Sequence, residues 1–364
     1  MKIIQVIPSL SSAGGAERFV IDLSISLQQL ENEVLLIVLY KDEISFFQNE
    51  IVTNNINIKY LNKHKGFDFH NSIALRKAIL DFAPDLVHTH LNCHLSMKLS
   101  GLWKKKNKIL FFHTIHNVPE NECSKPILFY IMKPLYKKHI VEPITISDSL
   151  SRETKSYYGL DFLPISIYNG IFVEQYVNNV PILERNTTFI SVASFQPKKN
   201  QIMIAQASII LKERGYEVKT VFLGNGPEFE KVKKFVDDKK ASEFIEFKGQ
   251  VKNVSEYLND SKCFVIPSWF EGNPISILEA MAAGLAVIAT KIGGAKDVIT
   301  NNVNGYLVDP TDLEDLTSKM ELILKNNIMV SKFSKNNLVK ILDYNMNKVA
   351  KRHIAFYGSK VGKV

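Results

Sequence analysis

Apolar positions along this chain follow two alternating rhythms. Short apolar runs rich in β-branched residues give way to stretches whose apolar residues recur every three or four positions, as in buried strands and amphipathic helices. Residues 2–7, 34–40, 56–61, 86–88, 109–112, 143–147 and 165–168 read as strands, and 18–30, 72–82, 91–103, 125–139 and 148–158 as helices. The stripe of the first helix is Phe19, Val20, Leu23, Leu27 and Leu30. A loop at residues 8–17, with Gly14 and Gly15, joins the first strand to that helix in a Rossmann-like opening, without the dinucleotide fingerprint G-x-G-x-x-G. Such alternation predicts a parallel, doubly wound sheet.

After Asn169-Gly170-Ile171 comes a polar, irregular stretch at residues 172–186, and then a second alternating series. Strands are predicted at 188–193, 218–223, 244–247, 263–266, 286–290 and 305–308, with helices at 201–214, 227–238, 254–258, 274–283, 295–299 and 313–324. The tail from Met329 is rich in Lys and Asn yet keeps helical spacing. The expected organisation is α/β, with one doubly wound domain at 1–170, a second at 171–344 and a closing helix at 345–364. Two such domains in tandem imply a ligand cleft at the C-terminal ends of their strands.

Composition narrows the class. At 364 residues the chain exceeds a typical single core. An apolar fraction of 46% and a charged fraction of 23% are those of an ordinary globular protein. No apolar run approaches the roughly 18–20 residues that span a bilayer. Residues 1–8 lack the apolar core of a secretory signal. Cys93, Cys123 and Cys263 are scattered and odd in number, which argues against a disulfide framework. The expected setting is the cytoplasm. A net charge of +8 suits an anionic substrate or surface, and without zinc-finger or RNA-binding aromatic patterns nucleic acid is not an expected partner. Lys133, Lys137, Lys138 and His139 alternate with Phe129, Tyr130, Ile131, Met132, Leu135 and Tyr136. That pattern reads either as a basic amphipathic helix for an anionic membrane or as a solvated lysine face over a core stripe. Lys104, Lys105, Lys106 and Lys108 form another basic cluster.

The stretch richest in chemistry is 268–284, S-W-F-E-G-N-P-I-S-I-L-E-A-M-A-A-G. A strand stops at Pro267, a polar loop carries Glu271, Pro274 opens a helix carrying Glu279, and Gly284 ends it. The amides of Asn273, Ile275 and Ser276 fall at that helix start, a place that attracts phosphate. Carboxylates beside an anion site suit sugar hydroxyls, which donate hydrogen bonds to them.

This stretch resembles the signature of glycosyltransferase family 4, a retaining family with two glutamates separated by seven residues and followed by a helix of small residues. Residues 191–200, S-V-A-S-F-Q-P-K-K-N, resemble its Gly-Arg-x-x-x-x-Lys-Gly phosphate loop, with Lys199 at the lysine position. Ala193, Ser194 and Asn200 depart from that loop. The missing arginine is a bidentate clamp that lysine does not reproduce, and Lys198 is the nearest substitute cation. Residues 223–228 (L-G-N-G-P-E), 247–251 (F-K-G-Q-V), Gly293-Gly294 and 302–310 match further family segments.

The resemblance implies the glycosyltransferase B fold, in which two Rossmann-like domains face each other across a cleft and the last helix returns to the first domain. It also implies transfer of a sugar from a nucleoside diphosphate donor, UDP before GDP, to a hydroxyl of a glycan or polyprenyl-diphosphate-linked saccharide. Such reactions build lipopolysaccharide, O-antigen or capsule at the inner face of the membrane. Glu271 with Gly272, Asn273, Pro274 and Ile275 would hold the donor sugar, Glu279 the ribose, and Lys199 with Gly15 the diphosphate. Val251 would meet the base through its backbone, and His116, after the fifth strand, would lie near the sugar or acceptor. The catalytic set is Glu271, His116 and Lys199. No metal and no cofactor are expected, since no Asp-x-Asp motif occurs.

Two rival readings remain. Ser194 suggests a nucleotide-sugar-binding protein without catalysis. The run H-T-H-L-N-C-H at 88–94, with His113 and His116, suggests a metal-dependent hydrolase built on the cluster from His88 to His116. The metallo-β-lactamase spacing, however, would need Asp at Asn92 and His at Cys93. His88 and His90 are read as pointing to opposite faces of a strand end, in a structural role.

Overall fold

The computed structural model describes residues 1–364 other than 13, 41–44, 64–67, 104–107, 123–125, 178–179, 273 and 362–364. Lys104, Lys105, Lys106, Cys123, Lys125 and Asn273 thus lie outside the described residues. The chain divides into two compact units, Met1–Gly170 with Met346–Val364, and Ile171–Asn345.

The first unit holds strands β1 (Lys2–Ile7), β2 (Glu33–Tyr40), β3 (Ile58–Lys63), β4 (Leu86–His90), β5 (Leu110–Ile115), β6 (Glu142–Thr145) and β7 (Ile165–Ser166). They form one parallel sheet in the order β3-β2-β1-β4-β5-β6-β7. β1 is buried from Ile3 onward and β4 throughout. That is why β1 reads as a nearly continuous apolar run, since helices cover the two faces of a parallel sheet. One face is filled by Ile4, Val6, Val87, Phe111, Met132 and Tyr136. Burial of each such large side chain stabilises by about 1.5–3 kcal/mol.

Helix Met346–Lys360 belongs to this unit. Val349, Ala350, His353 and Tyr357 are buried at three- and four-residue spacing along it. Ser26 Oγ donates to Asn347 Oδ1 at 2.6 Å, and the rings of Phe112 and Tyr357 are 4.7 Å apart.

The second unit holds β8 (Thr187–Val192), β9 (Thr220–Leu223), β10 (Ile245–Phe247), β11 (Ser261–Ile266), β12 (Ala286–Thr290) and β13 (Tyr306–Val308). Its parallel order is β10-β9-β8-β11-β12-β13. In each sheet the strand order reverses once, between β1 and β4 and between β8 and β11. Crossovers diverge at such a point, leaving a crevice outside the carboxyl ends of the two strands.

Some boundaries differ from the sequence reading. The first helix is Gly15–Gln29, not 18–30, because Gly14 takes an extended N-cap conformation and Ala16 and Glu17 are good helix formers. The helix expected at 91–103 is only His94–Leu99, bracketed by left-handed Leu91 (φ 53°) and Gly101 (φ 70°). Pro274 is the N-cap residue, so its helix is Ile275–Ala282. The tail forms helices Asn327–Lys340 and Met346–Lys360.

Candidate active site

In the second unit the loops leaving β8 and β11 carry Lys199 and Glu271. Lys199 ends a short turn, Pro197–Lys199, and Asn200 after it is left-handed (φ 55°). Asn200 Nδ2 donates to the carbonyls of Pro267 (3.3 Å) and Pro310 (3.0 Å), tying the first loop to the second. Lys199 Nζ thereby reaches Glu271 Oε1 at 2.6 Å, and the same oxygen accepts from Ser268 Oγ at 2.6 Å. Glu271 is only 6% exposed. Its desolvated carboxylate is compensated by one ammonium and one hydroxyl.

Gly293 and Gly294 close over the same residue. The Gly294 N–H donates to the Glu271 carbonyl at 2.6 Å, and a Cβ on Gly293 (φ 72°) would fall 2.2 Å from that oxygen. Only glycine fits there. Gly224 plays the same part beside the first loop, where a Cβ would fall 2.1 Å from the Ala193 carbonyl oxygen.

Glu279 is half-buried on helix Ile275–Ala282, and its Oε1 accepts from Tyr176 Oη at 2.8 Å. Pro274 and Ile275 are buried, and Gly272 is half-buried in the same loop. Val251 is half-buried four residues beyond β10. Ser194 and Lys198 are exposed. Asn273 lies outside the described residues. Ser268 and Tyr176 were not singled out from sequence. Ser268 stands beside the motif, whereas nothing in the irregular stretch around Tyr176 marks it.

In the first unit Gly15 is exposed at the start of its helix, after the carboxyl end of β1. Glu17, in the first turn, accepts from Ser12 Oγ at 2.9 Å, so a carboxylate already stands at this helix start. His116 is 7% exposed just beyond β5, and its Nε2 is 3.1 Å from His90 Nδ1.

His88 and His90 do not point to opposite faces. Side chains two positions apart on a strand share a face, and these two rings lie 4.2 Å apart. His88 Nε2 pairs with Thr114 Oγ1 and its Nδ1 with Tyr357 Oη, each at 2.7 Å, while His90 Nε2 pairs with Gln5 Oε1 at 2.7 Å. Burial, with the nearby histidines adding to it, holds His88 and His90 well below the usual histidine range. Burial also lowers His116 to about 4 and His353 to about 3. These imidazoles are neutral hydrogen-bonding groups. His113 bonds Thr89 on the other face of the sheet, near His94. The histidines from 88 to 116 therefore divide between two settings and do not form one ligand set.

Two doubly wound parallel sheets, each with a switch point served by a glycine-containing loop, define a nucleotide-binding class of two-domain α/β protein. The comparisons give the family. Residues 13–175 match the model described as "Glycosyltransferase Family 4", and residues 173–339 match "Glycosyl transferases group 1". The chain belongs to the family 4 glycosyltransferases and has the glycosyltransferase B fold.

An Anabaena protein crystallised with UDP has the same fold, with a TM-score of 0.84 at 17% identity over 99% of this chain and 100% of that one. An Escherichia coli enzyme described as "UDP-Gal:alpha-D-GlcNAc-diphosphoundecaprenol alpha-1,3-galactosyltransferase" is 24% identical over 297 residues, 75% of each chain. A Campylobacter jejuni "N,N'-diacetylbacillosaminyl-diphospho-undecaprenol alpha-1,3-N-acetylgalactosaminyltransferase" is 29% identical over 120 residues, 33% of this chain. That match, and one to a Staphylococcus aureus poly(ribitol-phosphate) N-acetylglucosaminyltransferase, span 32% and 33% of those relatives' lengths. Among the described residues no helix is long and apolar enough to cross a membrane.

Proposed function

We propose that the protein transfers a sugar from a nucleoside diphosphate sugar, with UDP the favoured nucleotide, to a hydroxyl of a lipid-linked saccharide in cell-surface polysaccharide assembly. The observation that carries this reading is the meeting of Lys199 and Glu271 at the switch point of the second sheet. In the reaction the acceptor oxygen bonds to the sugar C1 and the bond from C1 to the diphosphate oxygen breaks. Negative charge grows on the diphosphate, where a fixed ammonium is worth most. Lys199 is that ammonium, with Gly15 contributing from the first unit. Glu271 and residues 272–275 hold the sugar, Glu279 the ribose hydroxyls and the Val251 backbone the base. His116, neutral, orients a sugar or acceptor hydroxyl.

The acceptor proton passes to the leaving diphosphate, so the anomeric configuration is retained without a dedicated base. The sequence has no Asp-x-Asp motif, which supports transfer without a metal. The Escherichia coli and Campylobacter relatives, whose names specify diphosphoundecaprenol-linked acceptors, support a lipid carrier. Work on such an acceptor belongs at the cytoplasmic face of a membrane.

Thermal melts with UDP, GDP and ADP, each with EDTA, test the reading. UDP at a hundred times its Kd should add about 2.7 kcal/mol of stability, a rise of several degrees in Tm. A response to GDP alone would change the base, and silence with every nucleotide would sink the proposal. Exposed Ser194, where the family carries arginine, favours the second reading of binding without turnover. UDP binding with no UDP release from any donor and acceptor pair would select it.

A further inference from the structure

Three buried side chains converge on the face of the first sheet that carries Thr89. They are His94 at the start of helix His94–Leu99, His113 on β5, and Glu122 at the end of helix Pro119–Glu122. They are 1%, 0% and 3% exposed. One ligating atom from each lies within 4.8 Å of the other two, and His113 Nε2 is 3.5 Å from Glu122 Oε1. Both nitrogens of His94, His113 Nε2 and Glu122 Oε1 have no hydrogen-bond partner among the described residues.

Buried polar atoms are almost always paired, so a cluster of unpaired ones calls for a cause. The hydrogen bonds of Thr89 sharpen it. Thr89 Oγ1 donates its single proton to the Phe112 carbonyl at 3.1 Å and so accepts from His113 Nδ1–H at 2.9 Å. His113 Nε2 is then a bare lone pair, and it faces a carboxylate oxygen. Two acceptors at that distance call for a proton or a metal cation between them.

We propose that His94, His113 and Glu122 bind one divalent transition metal, zinc by the chemistry of the donors, as a structural centre of the first unit. Two imidazoles and a carboxylate are a zinc ligand set, and tetrahedral coordination at 2.0–2.2 Å spaces its donors about 3.3 Å apart. The His113–Glu122 separation of 3.5 Å is close to that. Thr89 fixes the tautomer and ring of His113, as outer partners of metal-bound histidines do. The metal would join β5 to the two helices. The centre shares no residue with the transfer machinery and does not depend on it. Glu122 also lies within electrostatic reach of His116, so the test must separate the two histidine settings.

The test uses the untagged full-length protein. After dialysis, elemental mass spectrometry should find about one zinc per chain, and zinc should raise Tm above that of the stripped protein. Loading with Co(II) should give the visible absorption of a four-coordinate site. Glu122→Gln, which keeps shape, should lose at least about tenfold in metal affinity while keeping its far-UV circular dichroism and its response to UDP. His116→Ala should keep the metal. If Glu122→Gln does not fold, His94→Asn supplies the comparison. Zinc far below one per chain with no Tm response, equal retention in Glu122→Gln, or loss only in His116→Ala would each overturn the proposal.

Discussion

Glu271 owes its setting to residues far from it along the chain. Lys199, seventy-two positions away, supplies the charge, and Gly293 and Gly294 supply the room. If Lys199 serves the breaking bond as proposed, Lys199→Ala should lower kcat by about 10²–10³-fold, the usual loss for one fixed donor at a developing charge. Steady-state kinetics with a UDP-sugar check this, and an unchanged kcat would refute the role. Glu279 carries a different prediction. Glu279→Ala should weaken UDP binding strongly, and Tyr176→Phe, which removes only the hydroxyl that orients it, should weaken it by about 0.5–1.5 kcal/mol. Calorimetric titration with UDP reads both, and equal affinity in all three proteins would dismiss Glu279 as a ribose partner. Glu271, Glu279 and Lys199 were legible as motif residues because a strand end, a proline and a helix of small residues frame them locally. Ser268 and Tyr176 were not, because a hydroxyl in a loop has no local signature of what it will touch.

Helix Pro126–Lys137 shows how an element can serve two surfaces. Leu128, Met132, Leu135 and Tyr136 are buried, whereas Ile127 and Tyr130 are 60% and 71% exposed beside exposed Lys137 and Lys138. The sequence pattern left a membrane face and a solvated lysine face over a core stripe as alternatives; the core stripe is there, and the opposite side is exposed. An exposed aromatic and aliphatic pair flanked by lysines suits the interface of an anionic bilayer. Each lysine near such a surface adds about 1 kcal/mol of attraction. Charge reversal of Lys133, Lys137 and Lys138 should therefore reduce sedimentation with phosphatidylserine liposomes at least tenfold. Unchanged sedimentation would leave the face as mere solvated surface. Helix ends were less legible than helix existence. Leu91 in a left-handed conformation delays the start of one expected helix to His94, and no propensity marks a leucine for that role.

All nine histidines fall in the first unit and none in residues 171–345, which makes acid a selective probe. Burial holds His88, His90, His94, His113, His116 and His353 below the range of an unfolded chain. Their contribution is complete above about pH 6.5, where unfolded histidines are neutral as well. As pH falls below that, the unfolded state binds more protons than the folded one and stability drops. The slope is up to about 1.4 kcal/mol per pH unit for each histidine. Glu122, raised by burial, works in the opposite direction and offsets part of it. Calorimetry at pH 7.5 and pH 5 should show the first unit's transition moving down while the second holds, and proteolysis at pH 5 should leave a fragment near 171–345. Transitions that move together would contradict neutral burial.

Hydrophobic period alone determined that the chain is two alternating α/β series, because period reflects preferences between residues a few positions apart. Read with the motif, it also placed Glu271 in the loop after a strand, Lys199 at a helix start and Glu279 inside the helix that follows Glu271. Only the tertiary structure decided which of these meet. Lys199 reaches Glu271, Tyr176 reaches Glu279 and Tyr357 reaches His88 across 72, 103 and 269 residues. Those meetings follow from crossovers that set strand order, and burial then keeps ordinary histidines neutral. Contacts so distant leave no trace in local spacing, since the free energy that forms them belongs to the packed sheet and not to the segments it joins.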